Sequence, residues 1–141
     1  MIDTDEEQRK CLVAAIEQVV PLSDEVRQAF LSVSRRIFVP TYYRREGSVL
    51  DWTLVDTADA AYTDQALVTK IDPISKLPSS SSSQPSLMAM KLEALDLRPG
   101  QRVLEIGTGT GYNAALIASL VGASDRVISI DIDDDLVEKA T

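Results

Sequence analysis

The sequence predicts an α/β fold, three layers α/β/α around a parallel sheet, with a helical extension in front of it. Three observations carry this. The run "RVLEIG" (residues 102–107) is apolar on both faces, as in a parallel strand covered by helices on each side. The glycine-rich "GTGTG" (residues 107–111) opens directly onto an apolar helical stretch, "YNAALIASLVGA". A second apolar run, "RVISID", follows that helix, and strand, helix and strand in succession make a βαβ unit with a right-handed crossover.

The elements before this unit follow from caps, breakers and periodicity. In "TDEEQRKCLVAAIEQVV", Thr4 and Glu7 have the spacing of a capping box. Leu12, Ala15, Ile16 and Val19 recur at helical spacing until Pro21 stops the helix, and Cys11 reads as a small core residue of it. A second helix starts at Ser23, with Val26, Phe30 and Val33 on one face, and Pro40 ends the segment. Residues 41–70 are mixed: "YYRREGSVLDW" reads as loop and short strand, and "AYTDQALVTKI" has room for another. "DPISKLPSSSSSQP", with five consecutive serines from Ser79 to Ser83, reads by composition as a linker or ordered loop. A helix striped by Leu87, Met88, Leu92 and Leu95 follows, and "RPG" terminates it. After "RVISID", "DDDLVEKA" begins one more helix.

This divides the chain into an N-terminal helical and mixed unit, residues 1–78, and a first βαβ portion, residues 79–141. A doubly wound domain needs more than two parallel strands. The expectation is therefore the N-terminal part of a longer protein, or a short one whose sheet is completed by self-association or a partner chain.

Composition sets the chemical limits. The chain has 141 residues, is 45% hydrophobic and 26% charged, and carries a formal charge of −8. That balance suits one globular domain and argues against nucleic-acid binding, which needs clustered Lys and Arg to neutralise phosphate. There is no histidine and one cysteine, so histidine triads and histidine or zinc metal sites are excluded, and no metal site is expected. The N-terminus lacks the apolar core of a secretory signal, and no apolar run approaches the ~20 residues of a membrane span. The expectation is a cytoplasmic protein without membrane contact.

The glycine loop points to a nucleoside ligand. Glycine takes positive φ and leaves the main chain open to close approach, and the next helix offers free amides at its N-terminus. Gly107, Gly109 and Gly111 give G-x-G-x-G; the dinucleotide fingerprint G-x-G-x-x-G would need glycine where Tyr112 stands. Asp131 closes the second strand, 20 residues after Gly111, so it faces the same crevice, where a carboxylate can accept hydrogen bonds from a ribose diol. A plain tight turn, with Asp131 as a helix N-cap, is the competing explanation.

"VLEIGTGTGYNAALIA" resembles motif I of the class I S-adenosylmethionine-dependent methyltransferases, and "GTGTGYNAAL" is most similar to the protein-L-isoaspartate O-methyltransferase family. "VRQAFLSVSRRIFVP" is similar to that family's N-terminal helix with its R-x-F-V-P ending, "AYTDQAL" to its A-Y-x-D-x-A-L, and "SSQPSLMAMKLEALDLRPGQRVLEIGTGTGY" to its run from I-S-x-P through motif I. The resemblance covers residues from about Glu25 to Thr141 and implies a Rossmann-like class I methyltransferase fold, incomplete in this chain. It also implies S-adenosyl-L-methionine as cofactor, with Gly107, Thr108, Gly109 and Gly111 shaping its pocket, Glu105 supporting the methionine end and Asp131 holding the ribose. The family's active-site serine falls on Ser83, a position that also suits a helix N-cap. The sequence departs from the family in three places. "KIDPISKLPSSSSS" replaces the glycine-containing G-x-G-Q-T-I-S, Ser86 stands where the family has histidine, and residues 41–60 have no close match.

The function so implied is methylation of L-isoaspartyl residues in proteins or peptides, for repair. One alternative keeps the chemistry and changes the substrate: an aspartate methyltransferase tailoring a ribosomally made peptide through a succinimide. From other classes come an NAD-dependent oxidoreductase, disfavoured by Tyr112, and a truncated interaction module without activity. For the 141 residues alone the expectation is a chain without activity.

Overall fold

The computed structural model describes residues 4–140, the side chains of Ala58 and Asp59 apart. Three helices come first: α1 (Thr4–Glu17), α2 (Asp24–Ser32) and α3 (Arg35–Phe38). The Ser23 hydroxyl caps α2 by accepting from Val26 N at 3.3 Å. Thr4, expected as the cap of α1, is already within the helix, so the capping position falls outside the described residues. Leu12, Val13 and Ile16 of α1 and Val26, Ala29 and Phe30 of α2 are buried. Cys11, expected in the core, is exposed: one residue before Leu12, it stands about 100° round the helix from the buried stripe. Val19 is also exposed, because α1 ends at Glu17 before the stripe reaches it.

The mixed region and the serine run form one antiparallel sheet, β1 (Thr41–Arg45), β2 (Trp52–Asp56), β3 (Leu67–Ile71) and β4 (Pro78–Ser82), in the order β2-β1-β3-β4. This corrects the reading of residues 72–85 as a linker or ordered loop, since residues 78–82 are a strand. The Asp72 carboxylate accepts from Ile74 N and Ser75 N, folding "DPISK" into a tight turn that brings the serines back along β3, with Leu67 opposite Ser82 and Ile71 opposite Pro78. The line drawn between residues 78 and 79 falls inside β4.

The glycine-loop unit follows. Helix α4 (Pro85–Leu95) leads to β5 (Val103–Ile106), α5 (Tyr112–Val121), β6 (Val127–Ile130) and α6 (Asp134–Ala140). β5 and β6 are parallel, with Val103 opposite Val127 and Ile106 opposite Ile130. The buried face of α4 is Pro85, Ser86, Met88, Ala89 and Leu92, while Leu87 and Leu95 of the expected stripe are exposed. Buried side chains of α1, α2, α4 and α5 form one core. That core covers one face of the β5–β6 pair. On the other face Leu104 and Ile106 are 61% and 81% exposed, and Ile128 and Ile130 are also open, so the two-sided cover expected of both strands is one-sided among the described residues.

Candidate functional site

The glycine loop is fixed to the end of β6. Ile130 O accepts from Gly107 N at 2.7 Å and Thr108 N at 3.2 Å, and the buried Thr108 hydroxyl lies 2.8 Å from Ser129 Oγ. Gly107 has φ +98, and a Cβ there would meet nothing within 4 Å, so the loop leaves open space above its main chain. Gly111 has φ +82 and caps α5, whose first amides face the loop.

Asp131 closes this arrangement. Its Oδ2 accepts from Gly109 N at 3.0 Å and its Oδ1 from Asp133 N at 3.1 Å. The bond from Gly109, above all, holds its carboxyl below the usual carboxylate range. Two engaged amides leave further lone pairs on the carboxylate for a ligand. The capping role belongs to Asp133, whose Oδ1 accepts from Asp135 N and whose carbonyl accepts from Leu136 N and Val137 N at the start of α6. Lys70 of β3 pairs with Asp133 at 2.5 Å and with Asp135 at 3.2 Å, tying the antiparallel sheet to the segment after β6.

Glu105 is engaged within the fold. It accepts from Asn113 Nδ2 at 2.7 Å and from Ser129 Oγ, and so braces β5 against α5 and β6. Tyr112, at the position of a third fingerprint glycine, is buried against the N-terminal helices. Its ring meets Phe30 edge-on at 6.3 Å and Phe38 at 5.9 Å. The site is thus built around a large side chain where dinucleotide folds need glycine for close helix–strand packing.

Ser83 lies between β4 and α4. The N-cap of α4 is Gln84, and the cap bond comes from a distant side chain: Asp64 Oδ1 accepts from Ser86 N at 2.7 Å. The Ser83 hydroxyl therefore does no capping and has no hydrogen-bond partner among the described residues. Ser81, Ser82 and Ser83 share a cavity of about 60 Å³ with Gly107, Gly109 and Tyr112. Asp131 opens onto a neighbouring cleft of about 480 Å³ between Ser79 and Ser80 of β4 and residues 131–136. The structure thus brings Ser83, Gly107, Thr108 and Gly109 to one cavity and Asp131 to the adjoining cleft, whereas Glu105 acts as a brace behind the loop.

Sequence reasoning missed Asp64 and Arg35, which hold the segment around Ser83 from two sides. Their only signal is membership in "AYTDQAL" and "SRRIFVP"; nothing local distinguishes buried Arg35 from its exposed neighbour Arg36.

Comparison with known proteins gives the family and the fold. Residues 6–141 match the family model described as protein-L-isoaspartate(D-aspartate) O-methyltransferase. The chain is 38% identical over 135 residues to protein-L-isoaspartate O-methyltransferase 2 of Archaeoglobus fulgidus, covering 96% of this chain and 52% of that protein. It is 36% identical over 119 residues to the Thermotoga maritima protein-L-isoaspartate O-methyltransferase, covering 84% and 32%. A solved protein-L-isoaspartate O-methyltransferase superposes with a TM-score of 0.70 at 34% identity, over 94% of this chain and 36% of its own. A second solved structure is described as a beta-aspartate methyltransferase from Plasmodium falciparum in complex with S-adenosyl-L-homocysteine. At 19% identity and a TM-score of 0.68, over 94% of this chain and 52% of that one, it shares the fold. The chain spans about half the length of the Archaeoglobus fulgidus relative, and the part it spans includes the glycine loop and the Ser83 segment. On this evidence the chain belongs to the protein-L-isoaspartate(D-aspartate) O-methyltransferase family.

Proposed function

We propose that the protein binds S-adenosyl-L-methionine across the ends of β5 and β6 and methylates the side-chain carboxylate of L-isoaspartyl residues in proteins or peptides, as a repair reaction. The observation that carries this reading is the shared cavity: an uncapped serine hydroxyl and an open glycine loop line the same space. S-adenosyl-L-methionine would supply a methyl group made electrophilic by its sulfonium.

The residues present suit that ligand. Gly107 and Gly109 give the main chain room for close approach, Thr108 and Gly111 fix the shape of the loop, and Asp131 has acceptor capacity left for a ribose diol. Glu105 would act from behind, keeping the first turn of α5 in place through Asn113. Residues 1–78 would support the acceptor side through Arg35 and Asp64, and residues 79–141 would supply Ser83 and the cofactor side, with β4 joining them.

The chemistry asks little of proton transfer. A carboxylate, with a reference pKa of about 4, is already ionised at neutral pH, so no general base is needed and the lack of histidine is no obstacle. The Ser83 hydroxyl would donate to one acceptor oxygen and leave the other to receive the methyl group. The rest of the task is orientation and exclusion of water. The methyl ester formed carries a better leaving group than the carboxylate does, so attack by the next backbone nitrogen on the ester carbonyl expels methanol and gives a succinimide, which water can open to normal aspartate.

Two measurements test this. Calorimetric titration should give binding of S-adenosyl-L-methionine and none of NAD; the reverse would overturn the cofactor assignment. Ser83→Ala should lower methylation of an isoaspartyl peptide while leaving cofactor affinity unchanged, and wild-type methylation by that variant would remove Ser83 from the site.

A further inference from the structure

Arg35 is fully buried, and its guanidinium forms no ion pair within 4.0 Å among the described residues. Burying an unpaired cation is costly unless polar groups replace its water. Here backbone carbonyls from two separate segments do so. Nη1 donates to Ala61 O at 3.4 Å and Thr63 O at 3.2 Å. Nη2 donates to Gln65 O at 3.0 Å, to Ser82 O at 3.3 Å and to Ser83 O at 3.0 Å. The Ser82 hydroxyl accepts from Nε at 3.3 Å and from Nη2 at 3.2 Å. The Tyr112 ring, at the start of α5, lies 6.0 Å from the guanidinium carbon. Burial pulls the group down to about 10, which leaves it a cation at neutral pH.

These contacts meet around one residue. The Ser83 carbonyl is held by Arg35. Beyond Ser83, Asp64 accepts from Ser86 N and from Gln84 Nε2 at 3.1 Å. The backbone on both sides of Ser83 is thus fixed by side chains remote in sequence, and its hydroxyl is free to serve the cavity it lines. We propose that Arg35 is a positioning residue: its guanidinium clamps the 61–65 loop to Ser82 and Ser83 and so sets the Ser83 hydroxyl against the glycine loop. This rests on the reading of Ser83 as the acceptor-binding group. A planar fork of five donors reaches carbonyls of both segments at once; a lysine ammonium, with three donors on one atom, cannot serve all of these acceptors together.

Arg35→Lys keeps the charge and tests the fork. It should raise KM for an isoaspartyl peptide by about tenfold or more, the scale of a small misplacement at a reacting centre, with the Kd for S-adenosyl-L-methionine unchanged. Amide hydrogen exchange should quicken in residues 61–66 and 80–86 and stay as in the wild type over residues 103–130. Ser82→Ala, a milder change that removes one acceptor of the clamp, should shift KM and exchange in the same direction and keeps the test available if the lysine variant does not fold. Wild-type KM and wild-type exchange at 80–86 in these variants would overturn the proposal. So would loss of protection throughout, residues 103–130 included, since that would make Arg35 a general core residue. If the wild-type protein methylates no isoaspartyl peptide, the functional reading fails, and the exchange comparison alone still decides whether Arg35 holds the Ser83 segment.

Discussion

Gly111→Ala puts a worked cost on the glycine loop. Gly111 caps α5 at φ 82, ψ −5, in the left-handed region, where a residue with a Cβ pays about 1–2 kcal/mol. A Cβ there would also lie 3.1 Å from the Ala140 Cβ and 3.6 Å from both the Cα and the carbonyl oxygen of Ala140. Carbon atoms prefer roughly 3.5–4.0 Å, so α6 must retreat by a few tenths of an ångström. Overpacking of this kind costs about 1–3 kcal/mol, and the low end applies because, of the three nearest atoms, only the Ala140 Cβ lies closer than ordinary contact. The total is about 2–3 kcal/mol. Gly122 provides the control, because it caps the other end of α5 at φ 83, ψ 6 with nothing within 4 Å of a Cβ. Gly122→Ala should therefore pay the backbone cost alone, about 1–2 kcal/mol. Urea unfolding of both variants beside the wild type, with the m-value checked for constancy, measures the difference. Equal losses at the two positions, or a neutral Gly111→Ala, would refute the packing of α6 against the loop.

Two further outcomes follow from Asp131. Asp131→Ala should weaken S-adenosyl-L-methionine binding by about 1–3 kcal/mol, the scale of lost charge-assisted hydrogen bonds, and also loosen Gly109; an unchanged Kd by calorimetry would leave Asp131 a structural acid only. Acid should loosen the same segment. Asp131, through the Gly109 amide, and Asp133, through Lys70, both titrate below their ordinary range in the folded protein. Their contribution to stability is therefore complete above the unfolded value of about 3.9 and drains away as pH falls through the depressed folded values. The thermal midpoint followed from neutral pH down through that range should fall, and fall less steeply in Asp131→Asn; parallel profiles would contradict the assignment.

Much of the site was legible in the sequence because its signals are local. A strand apolar on both faces, glycines at its end, a helix after them and an acid closing the next strand specify the β5–α5–β6 crevice and put Asp131 beside Gly109 without knowledge of any other contact. The resemblance to a family added Ser83. What the sequence left undecided depends on partners far along the chain. The serine run has no strand-like composition; it is a strand because the Asp72 turn returns it to β3, where its backbone pairs. The Ser83 hydroxyl is free because Asp64, 19 positions earlier, helps secure the start of α4 in its place. Arg35 and Arg36 are the same residue type in adjacent positions, yet one is buried against carbonyls of the 61–65 and 82–83 segments and the other is exposed. Local pattern determined the main helices, the β5–α5–β6 unit and the crevice at the glycine loop. Tertiary structure alone decided which polar groups lose their water and which distant carbonyls replace it, because that exchange requires contacts no local spacing encodes.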